Sequence, residues 1–134
     1  MLTNPARAET RTIFIDAPLT AVFDLVADPQ NLPRWAPGFA RSVEPSGRDW
    51  VVDDGENQTR IAVRSSREHG TIDLLSAEDS RVGAFTRVLP NGDGSEFQFT
   101  LFFPADAPGA AVAGQLRTVE EELQAVRNLC EELT

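Results

Sequence analysis

Tyrosine is absent, and cysteine and histidine occur once each in a chain of 134 residues. One cysteine cannot make an internal disulfide, and a zinc cage built on one Cys and one His would have to recruit several carboxylates. Neither a disulfide framework nor a metal is therefore expected, and no motif calls for a cofactor. No apolar run approaches the roughly 18 residues of a membrane span, and residues 1 to 12 are mostly polar. Neither membrane insertion nor a secretory leader is expected, which points to a cytoplasmic chain with a reduced thiol. Basic residues are also scarce: 12 against 21 acidic ones give a net charge of -9. The arginines are scattered along the chain. A phosphate backbone or an anionic membrane surface would be repelled, so nucleic acid is not an expected partner. The sequence has no internal repeat, no low-complexity segment and no Gly-x-Ser-x-Gly nucleophile elbow.

What is present suits a single domain over residues 1–134. Hydrophobic residues make up 41% of the chain, and folding at this size buries about two-thirds of the unfolded surface, enough for a core that holds a cavity. The β-branched stretch Arg11 to Asp16 predicts a strand. A helix follows, with a cap at Asp16 or Ala17, Pro18 in its first turn, and Leu19, Val22, Phe23 and Val26 on one face. Asp28-Pro29 breaks it, and Gln30 to Trp35 reads as one loose helical turn. From Phe39 to Phe103 the pattern is a meander, with strands predicted near 39–44, 48–53, 58–65, 69–76, 82–89 and 96–103. Turn residues at 45–47, 54–57 and 91–94 separate them. Val112, Leu116, Val119, Leu123, Val126, Cys130 and Leu133 then form a continuous apolar seam on a helix over about 110–133. Such a seam also suits a coiled coil, but a long helix lying in a curved sheet needs the same stripe, and here there is a sheet to cover.

The order of elements gives an α+β fold in which a curved antiparallel sheet wraps a long C-terminal helix. The run TIFIDAPLTAVFDLVADP from Thr12 to Pro29, followed by NLPRWAPG from Asn31 to Gly38, closely resembles the opening of the START-like helix-grip (SRPBCC) superfamily. That superfamily includes polyketide cyclases, lipid-transfer domains and birch-pollen-allergen proteins. The run RVLPNGDGSEFQFTLF from Arg87 to Phe102 resembles a small bacterial branch of it, polyketide cyclase/dehydratase-like and without assigned activity. The resemblance implies an apolar cavity between the sheet and the last helix, and it matches Trp35 to a tryptophan that commonly stands near the cavity mouth. The absence of tyrosine departs from the cyclases, whose phenols are often proposed as proton donors.

Trp35, Trp50, Ile61, Val63, Phe97 and Phe99 are the candidate walls for a hydrophobic ligand, the indoles offering large flat surfaces with one donor each. Any of them can equally be plain core. His69, beside Gly70 at a strand start, is the one imidazole available as a general base, although such a position is usually exposed. A hairpin turning over Asp79-Ser80-Arg81 would set Asp73 directly across from Arg87. Pointing inward, that pair would orient a ligand; pointing outward, it is a surface pair of little weight. Alternation places Arg60 and Arg64 in water. Cys130, on the apolar seam, is expected to be buried with a raised pKa. The leading expectation is a binder of a small hydrophobic molecule, acting as a monomer or homodimer. The alternatives are a polyketide cyclase/dehydratase-like enzyme using His69, Asp73 and Arg87, or an interaction module of the chaperone-activator type.

Overall fold

The computed structural model describes residues 5–132. Along the chain it runs β1 (Arg7–Ile15), α1 (Leu19–Ala27), a 3-10 turn (Pro29–Asn31), α2 (Leu32–Trp35), β2 (Ser42–Ser46), β3 (Asp49–Asp53), β4 (Gln58–Ser66), β5 (Thr71–Ser76), β6 (Gly83–Asn91), β7 (Gly94–Phe103) and α3 (Gly109–Glu132). The strands form one antiparallel seven-stranded sheet in the order β1-β7-β6-β5-β4-β3-β2. The meander is thus closed at one end by the first strand pairing with the last. Two of the turns are as short as their residues allow: Gly47 and Gly92, at φ 64° and 60°, let the chain reverse between Ser46 and Asp49 and between Asn91 and Gly94.

Alternation decides which face is buried. Ile13 and Ile15 pair with Phe97 and Ser95, Phe97 and Phe99 with Val88 and Thr86, and Thr86 and Ala84 with Ile72 and Leu74. These side chains share the face that the helices cover. Val22, Phe23, Leu25 and Val26 of α1 and Val112, Leu116, Val119, Leu123, Val126 and Cys130 of α3 are buried against it. The apolar seam of the long helix therefore lies in the curved sheet as a helix-grip fold requires; Leu133, its last expected member, lies outside the described residues. Burial, with the Glu131 carboxylate adding to it, pushes the Cys130 thiol up to about 11.

The β5–β6 hairpin departs from the expected register by two residues. Asp73 stands opposite Phe85, and Arg87 opposite Thr71. The cause is the turn. The Asp79 carbonyl accepts from the Val82 N–H at 3.0 Å, and its carboxylate accepts from the Arg81 N–H at 2.9 Å, so the chain reverses between Asp79 and Val82. Glu78 is left out of the ladder. Gly83 then enters β6 at φ 149°, where an added Cβ would collide with the Leu74 carbonyl oxygen and lie 2.8 Å from Leu75 Cα. Gly83→Ala should accordingly destabilise the fold by roughly 1–3 kcal/mol, since both the backbone angle and the space exclude a side chain. A urea unfolding midpoint unchanged from wild type would contradict this reading.

Candidate functional site

Between α2, α3 and the strands β5 to β7 the fold leaves an open cleft of about 500 Å³. Its walls come from four places. Leu32 and Trp35 enter from α2 and Ala36 from just after it, Leu74 and Ala84 from β5 and β6, Phe99 and Leu101 from β7, and Ala111, Gln115 and Glu122 from α3. Phe39 and Val82 stand at the rim and keep 39% and 56% of their surface exposed. With Phe102, 50% exposed, three exposed large apolar side chains border the same opening, and it is such clustering that marks a binding groove.

Local structure explains how Trp35 comes to the inner wall. The Asp28 carboxylate accepts from the Gln30 N–H at 3.0 Å and fixes the break after α1. The Asn31 side-chain amide donates to the Leu25 carbonyl at 3.0 Å, tying the short helix back to α1. Pro33 suits the start of α2, and the Ala36 and Ala40 N–H groups bond to the Leu32 and Ala36 carbonyls at 2.7 and 2.9 Å. The ring is thereby clamped, with 1% of its surface exposed.

The polar groups inside the sheet fall into two kinds. Thr86 donates to the Ile72 carbonyl at 2.6 Å and Ser95 to the Ala17 carbonyl at 2.8 Å, so each is satisfied by backbone. Trp35 Nε1–H is buried with no acceptor among the described residues. Glu122 is 8% exposed, lines the cleft, and makes no hydrogen bond or ion pair among them. Burial, with the neighbouring Glu121 carboxylate adding to it, pushes the Glu122 carboxyl up to about 7. Both residues border one cavity, although the Trp35 Nε1 atom itself is sealed from it.

The candidate residues are distributed unevenly. Trp35 and Phe99 line the cleft. Phe97 and Ile61 are fully packed core, while Trp50 and Val63 are half-buried and pack against that core from β3 and β4. His69 is exposed in the turn between β4 and β5. With Arg87 it borders a second, smaller hollow beside α1, where Arg67 lies 4.6 Å from the Phe23 ring centre and pairs with Asp24. Asp73 is elsewhere, on the sheet face turned away from the helices, where it pairs with Arg64 at 3.0 Å. The three polar candidates are therefore not assembled into one site. Glu122 was not among the candidates, yet a signal existed: it stands three residues after Val119 and four before Val126, on the buried stripe of α3. Among the described residues no cluster of His, Cys, Asp and Glu suits a metal ion, and no helix is long and apolar enough to cross a membrane.

A seven-stranded antiparallel sheet wrapped around a C-terminal helix, with a cleft between them, defines a START-like helix-grip protein. The family model described as polyketide cyclase / dehydrase and lipid transport matches residues 8–131, and the chain belongs to that family. No curated protein matches it in sequence. Among solved structures it is similar to the protein XoxI from Bacillus cereus, with 14% identity and a TM-score of 0.75 over 94% of this chain and 96% of that one. A START superfamily protein from Mycobacterium smegmatis matches at 18% identity and a TM-score of 0.73, covering 95% of this chain and 99% of the other. The di-domain ARO/CYC protein StfQ of the steffimycin biosynthetic pathway matches at 22% identity and a TM-score of 0.68, over 92% of this chain and 45% of StfQ. At such identities these likenesses concern the fold.

Proposed function

We propose that the cleft binds a small apolar molecule, with Trp35 and Phe99 as its inner walls and with Trp50, Ile61, Val63 and Phe97 supporting those walls from the core. The observation that carries this reading is a cleft of about 500 Å³ with apolar walls and one lining carboxylate, Glu122, that has no protein partner among the described residues. Ligand sites are built in this way, mostly apolar with a few polar anchors. A second reading, acid–base chemistry on a carbonyl-bearing substrate of the kind the family description implies, is favoured by one group. A carboxyl held at about 7 inside an apolar cleft is suited to give and take protons near neutrality. In that reading Glu122, rather than His69, Asp73 or Arg87, is the residue that acts.

The test uses the two tryptophans of a chain that has no tyrosine. In a Trp50→Phe variant Trp35 alone reports by indole emission, and titration with N-phenyl-1-naphthylamine should quench it saturably. Ala111→Phe, a change at an exposed position lining the cleft on the first turn of α3, should weaken that binding about tenfold or ~1.4 kcal/mol by partly filling the site. Emission that never saturates, or binding that ignores the residue at 111, would refute the proposal.

A further inference from the structure

We propose that Glu122 makes the cleft selective by charge, admitting apolar ligands that are neutral or cationic and rejecting their anionic counterparts. The inference rests on the cleft being a ligand site and adds the class of ligand it takes. Its basis is the composition of the lining. Of the described side chains that border the cleft, Glu122 is the only charged one; no described arginine or histidine lines it, and the chain contains no lysine at all. A carboxylate or phosphate head entering this space would therefore find no cation to pair with.

Around the cleft the other charges repeat its sign, are already engaged, or, like Arg117 on α3, are exposed and outside the lining. Glu121 is the chain neighbour of Glu122 on α3. Arg127 pairs with Glu131 at 3.3 Å, and Arg11, on β1 beside α3, reaches Glu9 at 3.3 Å and Glu120 at 3.6 Å. Arg34 on α2 is exposed and bonds to Asn31. The elements β5, β6 and β7 contribute only Leu, Gly, Ala and Phe to the lining, and the turn before β6 adds Val82. Glu122 itself is nine-tenths buried and has no protein partner among the described residues, so an amine or hydroxyl brought in by a ligand could donate to it in place of water. An anionic ligand would instead place two like charges a few ångströms apart in a site of reduced dielectric, an interaction that costs far more there than in water. The net charge of -9 adds to the bias at longer range.

Two ligands that differ in little but the sign of the head group test this. N-phenyl-1-naphthylamine, which is neutral, serves as the reporter, and decylammonium and decanoate compete for it at about pH 8, above the Glu122 value of about 7. Only displacement that Ala111→Phe removes is counted, so that attachment to exposed apolar surface does not enter. Decylammonium should displace the reporter at a concentration at least about tenfold lower than decanoate. Glu122→Gln should shrink that ratio from both sides, weakening the ammonium and strengthening the carboxylate. Equal competition in the wild type, or a ratio that Glu122→Gln leaves intact, would overturn charge selection while the cleft stood as a ligand site. If the reporter itself fails to bind, the cleft reading falls, and the selectivity with it.

Discussion

Glu122→Gln should raise the unfolding free energy by about 3 kcal/mol at pH 8 and change it little at pH 4. In the unfolded chain this carboxyl titrates at the ordinary 4.5, whereas in the folded protein burial holds it at about 7. The native state therefore binds the proton more tightly. Its contribution to stability is fully present below 4.5, is lost progressively as pH rises from there to about 7, and stays lost above. At ~1.4 kcal/mol per pH unit, the span between those values comes to about 3 kcal/mol. Glutamine keeps the shape and removes the ionisation, so the variant escapes the loss. Urea unfolding of both proteins across the pH range gives the difference directly. A difference that does not change with pH would mean that Glu122 is solvated in the native state, and the cleft would lose its anchor.

That residue also shows where reading the sequence stops. The amphipathic pattern of α1, the strict alternation along β7 and the seam of α3 all record burial of one face, and each led to an element within a residue or two of its bounds. Where burial does not drive the structure, the pattern is silent. Strand β1 begins at Arg7, four residues before the apolar alternation starts, because Arg7 to Thr10 are held by backbone pairing to Thr100–Phe103 rather than by a buried face. Phe39 and Ala40 look like strand, but their N–H groups bond to the Ala36 carbonyl and keep them in the turn after α2. Strand β2 instead extends to Ser46 through Pro45, which the edge of a sheet tolerates. The hairpin register was lost to Asp79, a side chain bonding within its own turn. As for the site, Trp35 and Phe99 stood out by being aromatic. Glu122 did not, because an acidic side chain has no place in an apolar stripe. A carboxylate at an i+3 and i−4 position of a buried stripe is a breach of the pattern, and in this protein the breach opens onto the cleft.

The same helix carries the other large effect. Leu123→Ala should cost roughly 2–5 kcal/mol, the range for deleting a buried leucine whose surroundings cannot close in. Leu123 is 3% exposed and belongs to the central apolar cluster with Val119, Val126, Phe97 and Phe99. Its neighbours are of two kinds: sheet side chains held in register by backbone pairing, and α1 side chains fixed by the Pro18 start and the Asp28 break. Neither can move far, which puts the expected loss toward the upper part of that range. Gln124→Ala, one residue on but exposed, removes only a surface contact to Asn128 and should change stability by less than about 0.5 kcal/mol. The seam of α3 is covered by β1, β7, α1 and α2 of its own chain, so the Leu123→Ala loss should not depend on protein concentration. Unfolding midpoints measured at two concentrations about a hundredfold apart, with light scattering on each sample, separate this from a seam shared between two chains. In that case the variant would fall apart on dilution while each chain kept its fold, and the helix would be holding a partner instead of the sheet.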